Sequence, residues 1–155
     1  MKYFHDPNRF PFTKILKEHY PQIKAEFDRW PSFLKRTMHQ GYLVDQGQWK
    51  IIPLMNREKP IHFINWFFPV TASLIKKIPV YENLTFSTFK PNTKLTPHNG
   101  HTDGIVRVHL GIHTNSRARL YVGDESHSIL EGEVLVFEDG AQHYSENLAD
   151  TDRTI

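Results

Sequence analysis

The chain has 155 residues, with 19 lysines and arginines against 17 aspartates and glutamates, a formal charge of only +2, and no cysteine. That length fits one domain with a single core. The charge balance gives no reason to expect a nucleic-acid partner, and the lack of cysteine excludes disulfides, thiolate metal sites and a cysteine nucleophile. The first residues, MKYFHDPNRFPFTK, contain no apolar signal-like run, and no window approaches the ~18 apolar residues of a membrane span, so the expectation is a cytoplasmic location.

Leu16, Tyr20, Ile23, Phe27 and Trp30 recur at three- and four-residue intervals, predicting helix over about 11–30, with Pro21 dividing it into two short helices. Trp49 to Leu54 and His62 to Phe67 read as strands. Thr71 to Ile78 reads as a short connecting helix on the outside, begun by a capping threonine and stopped by Pro79.

Beyond Tyr81 the pattern is short strands between turn residues: Leu84 to Lys90, Ile105 to His113, Arg119 to Val122, Ser126 to Leu130, Glu133 to Glu138, and a last one near Arg153. The uninterrupted apolar run Val134 to Phe137 reads as a strand buried on both faces. Helices followed by closely spaced strands predict a mainly β domain: a double-stranded β-helix (jelly roll, cupin-like) with N-terminal helices packed on one sheet and a strand-rich core over about 84–155. One domain over 1–155 is expected.

The segment Pro97 to His109, PHNGHTDGIVRVH, gathers three of the ten histidines with an aspartate and an arginine, and His143 lies further along the chain. Imidazoles with a carboxylate are the donors of non-haem iron sites. Two ligand sets are open: the triad His101, Asp103 and His143, or the pair His98 and His143 with no protein carboxylate. On a strand, Arg107 and His109 share one face while Val108, Leu110 and Ile112 take the other; Ser87 and Phe89 share a face in the same way. Such a polar face suits a carboxylate-bearing ligand. His5, His19, His39, His62, His113 and His127 read as ordinary surface residues.

Several ordered motifs together resemble the aspartyl/asparaginyl β-hydroxylase family, a branch of the iron(II)- and 2-oxoglutarate-dependent dioxygenases. They are Phe86-Ser87, Pro97-His98-Asn99-Gly100, Arg107-Val108-His109-Leu110-Gly111-Ile112, Val122-Gly123-Asp124-Glu125, the run Glu131 to Asp139, His143, Asn147 and Arg153. The likeness covers about residues 49–155, with the helical N-terminal part only generically similar. It implies Fe(II) on His98 and His143, 2-oxoglutarate as cosubstrate near Ser87, Arg107, His109 and Arg153, and O2 as oxidant. Asp139 is implied to orient a ligand imidazole by accepting its other N–H.

Gly100 stands where the lipid A hydroxylases look like His-x-Asp, which favours the two-histidine set. Ile105 stands where relatives acting on aspartyl groups tend to carry arginine. The family continues with a full strand after Arg153, which here has only two residues behind it, so the expectation is either a frayed Arg153 or a truncated chain. The implied substrate is a small molecule, amino acid or peptide, plausibly an aspartyl or asparaginyl residue. From other classes, the same residues would serve a catalytically silent metal- or small-ligand-binding jelly-roll module, or a metal hydrolase or isomerase indifferent to O2.

Overall fold

A computed structural model describes residues 3–31, 36–37, 43–79, 82–100 and 104–155. In chain order the strands are β1 (Phe4–His5), β2 (Arg36–Thr37), β3 (Val44–Gln46), β4 (Trp49–Asn56), β5 (Lys59–Pro60), β6 (Asn83–Phe89), β7 (Thr93–Leu95), β8 (Val106–Leu110), β9 (Ala118–Val122), β10 (Glu125–His127), β11 (Val134–Glu138), β12 (His143–Asn147) and β13 (Arg153–Thr154). The helices are α1 (Pro11–Arg29), α2 (His62–Asn65) and α3 (Pro69–Leu74), with a 3-10 turn at Pro7–Arg9.

The strands order themselves as β1-β11-β8, as β13-β6-β4-β2, and as β10-β9-β12-β7-β3. The first two groups join where His113 bridges Thr154, through Thr154 N–H to His113 O (2.7 Å) and His113 N–H to Thr154 O (3.1 Å). One large sheet thus faces one smaller sheet, both antiparallel where paired, which is the expected jelly roll.

The two faces of the large sheet divide the apolar residues. Phe86, Leu110, Ile112, Val134 and Val136 pack with Ile23 and Phe27 of α1, with Val106 and Val108 beside them. A second cluster, Phe4, Leu120, Val122 and Phe137, lies between the sheets. Strand alternation therefore sends Val106, Val108 and Leu110 to the helices and turns Arg107 and His109 inward, as their spacing predicts.

Three expectations are corrected. α1 runs unbroken through Pro21, because Pro21 is on the exposed side of the helix, where the carbonyl that loses its N–H partner is left to water while Ile23 and Phe27 stay buried. His62 to Phe67 is a helical turn and not a strand; a short run rich in Phe, Ile and Trp fits either period. The helix expected from Thr71 starts at Pro69, whose missing N–H costs nothing at the first helical position, and ends at Leu74.

Thr71 is not the cap of α3. Its backbone N–H (3.0 Å) and hydroxyl (2.7 Å) both donate to Glu26 Oε2, and Val70 N–H donates to Glu26 Oε1 (2.7 Å). Glu26 is 3% exposed, so a buried carboxylate of α1 satisfies the free N–H groups at the start of α3 and complements its dipole. Glu26→Ala leaves three donors unmet and is expected to cost ~2–4 kcal/mol in urea unfolding, whereas Glu26→Gln, which keeps an acceptor, costs ~1–2 kcal/mol. Equal loss in the two variants would contradict this assignment.

Candidate functional site

His98 and His143 are brought together by strand pairing. The segment after β7 runs beside β12, and the two residues form a bridge closed by His98 N–H to His143 O (3.0 Å) and His143 N–H to His98 O (2.8 Å). Directly opposed residues in an antiparallel pair project to the same face. The ring centroids are accordingly 4.5 Å apart.

Each ring is oriented by the same local device. His98 Nδ1–H donates to Thr96 O and His143 Nδ1–H donates to Ala141 O, both at 2.8 Å and both two residues back in the chain. A carbonyl can only accept, so Nδ1–H is the donor in both rings, and the neutral imidazole in that tautomer has its lone pair on Nε2. This corrects the role given to Asp139, since backbone carbonyls and not a carboxylate take the second nitrogen.

Asp139 lies on the other side of the pair. Its Oδ1 accepts from Arg107 Nε at 2.6 Å and lies 3.9 Å from His143 Nε2. The loop holding His98 is stitched to the same turn by Gly100 N–H to Asp139 O (2.9 Å), Asn99 Nδ2 to Gly140 O (2.9 Å) and Asp139 N–H to Ile105 O (3.1 Å). A Cβ on Gly100 would stand 2.1 Å from Asp139 Oδ2 and 2.5 Å from its carbonyl oxygen. The carboxylate of Asp139 thus fills the space a side chain at position 100 would need. Gly100→Ala is expected to lower stability by ~1–3 kcal/mol, partly restored when combined with Asp139→Ala; additive losses in that double-mutant cycle would show no such clash.

Burial pushes His143 below its ordinary value of 6.5, with the charge-favouring Ala141 carbonyl opposing and His98 adding to the fall. His109 is driven well below 6.5, chiefly by burial and then by the cations Arg153 and Arg107. Its Nδ1 is buried without a hydrogen-bond partner among the described residues. Phe137 bridges the two histidines, with ring centroids 5.0 Å from His109 and 5.4 Å from His143.

Both imidazoles take up a proton less readily in the fold than once exposed, where the ordinary value is 6.5, so the unfolded chain binds more protons as the pH falls. Stability is therefore full above about pH 6.5 and declines below it. The urea midpoint is expected to drop between about pH 7.5 and 5.5, and His109→Leu should flatten that slope; an unchanged slope would remove His109 from the account.

Arg153 is 2% exposed and lies opposite Phe89, its guanidinium 5.4 Å from the ring centroid. It is not frayed: Ile155 N–H bonds Ser87 O (3.0 Å) and Ser87 N–H bonds Ile155 O (2.9 Å), extending the pairing of β13 with β6. Burial lowers its pKa to about 10, still charged at neutral pH, yet no carboxylate among the described residues pairs with it. Beside it, Trp49 Nε1 donates to Ser87 Oγ at 2.9 Å. Ser87, Arg107, His109 and Arg153 thus share the inner face of the large sheet, opposite the face packed on α1.

His101 and Asp103, the other proposed ligands, lie outside the described residues. Among the described residues no group of three histidine, aspartate or glutamate side chains is placed to enclose a metal. His113 and His5 are less bland than expected: His113 Nε2 meets Asp28 Oδ1 at 2.5 Å, and His5 pairs with Glu138. The aromatic bridge of Phe137 and the Trp49 donor have no site role in the sequence reading, where one belongs to a buried strand and the other only begins a strand. Alternation across the β4–β6 pair would place Trp49 on the Ser87 face.

The two-sheet jelly roll is shared with a Pseudomonas putida prolyl-4-hydroxylase, which superimposes with a TM-score of 0.54 over 92% of this chain and 94% of that one, at 11% identity. Residues 17–155 match the profile of the Aspartyl/Asparaginyl beta-hydroxylase family, so the chain belongs to that family, and the match begins within α1, well before residue 49. An ornithine lipid ester-linked acyl 2-hydroxylase of Rhizobium tropici is 26% identical over 161 residues, covering 97% of this chain and 57% of that protein. Aspartate beta-hydroxylase domain-containing protein 2 of Xenopus tropicalis is 28% identical over 153 residues, covering 92% and 41%. The chain thus spans about half the length of these curated relatives.

Proposed function

We propose that this chain is a hydroxylase that uses Fe(II), 2-oxoglutarate and O2, with His98 and His143 as the protein's metal ligands. The observation that carries the reading is the pair of facing imidazoles, each with Nδ1–H tied to a carbonyl, together with a buried arginine on the inner face of the large sheet that pairs with no carboxylate among the described residues. The donors are nitrogen and oxygen only, a set suited to iron among the first-row metals, and the two-histidine set leaves coordination positions for ligands from outside the protein. Bound iron would supply O2 activation coupled to oxidative decarboxylation of the keto acid to succinate and CO2.

The residues divide the remaining work. Arg153 offers its planar fork to the distal carboxylate of 2-oxoglutarate, in a site where Phe89 and Trp49 exclude water and strengthen the pairing. Ser87, fixed by Trp49, offers its hydroxyl proton to the same carboxylate. His109, kept neutral by burial, supplies a hydrogen-bonding nitrogen without adding a third positive charge beside Arg153 and Arg107. Asp139 holds Arg107 at the mouth and places its carboxylate 3.9 Å from His143 Nε2, where it would complement the charge of a metal held by that nitrogen.

The substrate is an amino-acid, peptide or acyl group presented past Ile105 and Arg107. The apolar Ile105 and the acyl 2-hydroxylase relative support a carbon next to a carbonyl on an uncharged chain over an acidic side chain. Succinate release tests the reading: turnover that needs Fe(II), 2-oxoglutarate and O2 together is expected with such substrates or as slow uncoupled decay. Activity on any substrate that is indifferent to O2 would assign the site to hydrolysis or isomerisation, and keto-acid binding with no succinate under any condition would assign it to the silent module.

A further inference from the structure

Phe63, Trp66 and Phe67 are 73%, 78% and 47% exposed, the most solvent-exposed aromatic cluster among the described residues. They form one patch, since Phe67 stacks edge-on against both Phe63 and Trp66 with centroids 5.6 Å away in each case. The patch is anchored below by Trp30, 5.2 Å from Phe67. Water-facing rings held in place at a helical turn are not core residues caught at the edge; they cost solvation and call for a partner.

The charge around the patch says which one. From Lys59 to Tyr81 the sequence carries three lysines and no aspartate or glutamate. Lys59, Lys76 and Lys77 are all exposed, and none makes an ion pair among the described residues. The tip of the β4–β5 hairpin adds exposed Arg57, while the acidic residues nearest in sequence, Glu58 and Glu82, lie outside that lysine-bearing run. Tryptophan and phenylalanine flanked by unpaired cations are the composition of a segment that seats at the headgroup level of an anionic bilayer. Scaled by their exposure, three rings offer about 400 Å² of contact, below the ~800 Å² per partner of a stable protein interface.

Strand direction places the β4–β5 hairpin, with Lys59, at the end of the sheet where Arg107 lies, whereas Phe67 sits against Trp30 on the helix-packed face. β6 and β8 both pair antiparallel to the chain around β13, so they run parallel and their starts, Asn83 and Val106, share one end of the sheet. β4 is antiparallel to β6, which brings Asn56 and the hairpin before α2 to that same end. Arg107 and the His98 loop open there too.

We propose that the Phe63–Trp66–Phe67 patch with Lys59, Lys76 and Lys77 docks this protein on anionic lipid surfaces. The inference stands on the patch itself and does not require the iron reading. Sedimentation with phosphatidylcholine vesicles containing about a third phosphatidylglycerol should carry the protein down, plain phosphatidylcholine should do so weakly, and ~0.5 M salt should release most of it. Phe63→Ala combined with Trp66→Ala should weaken binding at least ~10-fold with an unchanged unfolding curve, since both rings are exposed. Brominated lipid should quench the fluorescence that Trp66→Phe removes. No binding to either vesicle, or binding that ignores both the aromatic and a Lys76→Glu/Lys77→Glu change, overturns the proposal. A dimer in light scattering that Trp66→Ala dissolves, with no vesicle binding, would assign the patch to a second copy instead.

Discussion

Arg153→Leu is expected to weaken 2-oxoglutarate binding by at least ~100-fold while leaving the ligand-free protein as stable as before or more so. The two halves of that result have one cause. Arg153 is 2% exposed, stacked on Phe89, and pairs with no carboxylate among the described residues, so in the empty protein its charge is buried without compensation. Exchanging buried charge for apolar side chains is often neutral or stabilising, and relief of the uncompensated charge offsets the packing lost with the shorter leucine. When a dicarboxylate arrives the balance reverses, because truncating one member of a desolvated charge pair costs ~2–5 kcal/mol. Arg153→Lys keeps the charge but not the bidentate fork, and an intermediate loss of ~10-fold is expected. Calorimetric titration of the keto acid beside urea unfolding reads both quantities; loss of stability without loss of affinity would make Arg153 a structural residue only.

His98→Ala carries the other large effect. It should remove iron-dependent turnover and lower iron affinity by more than the ~10–100-fold typical of a residue that merely supports a ligand. The backbone bridge between His98 and His143 does not depend on the side chain, so the fold should persist. His101→Ala should leave most of the iron binding intact. A reversed outcome for these two variants would move the metal to His101 and Asp103.

The parts of this site that were legible in sequence are those governed by strand parity. Arg107 and His109 on one face, with Val108 and Leu110 on the other, follow from alternation and appear so in β8. The β12 strand was invisible to the same rule because its buried residues, His143, Ser145 and Asn147, are polar, and an apolar period cannot report a polar inner face. Asn147 illustrates why they are there: its side-chain amide donates to Phe89 O and Lys90 O (both 3.2 Å) and to Thr151 O (2.8 Å), tying the turn before β13 to the end of β6.

The relation of Asp139 to Gly100 could not be read from spacing either. The two are 39 positions apart in the chain, and only the cross-strand bridge at His98 brings the glycine against the carboxylate. Residue pattern alone leaves His101 with Asp103 open beside His98; the paired backbone brings His98 against His143. Pro21 misled for a related reason, since a proline breaks a helix only when its neighbours cannot leave a carbonyl to water, and burial decides that.

The central claim is that His98 and His143 hold an iron to which 2-oxoglutarate is recruited. Anaerobic titration of the full chain with Fe(II) and 2-oxoglutarate, followed by visible absorption and calorimetry, tests it most directly. The account predicts a weak charge-transfer band that needs both components, one keto acid per chain, and loss of the band in His98→Ala and His143→Ala but not in His101→Ala. Neither band nor binding in the unmodified protein, or a band that survives both His98→Ala and His143→Ala, would contradict it.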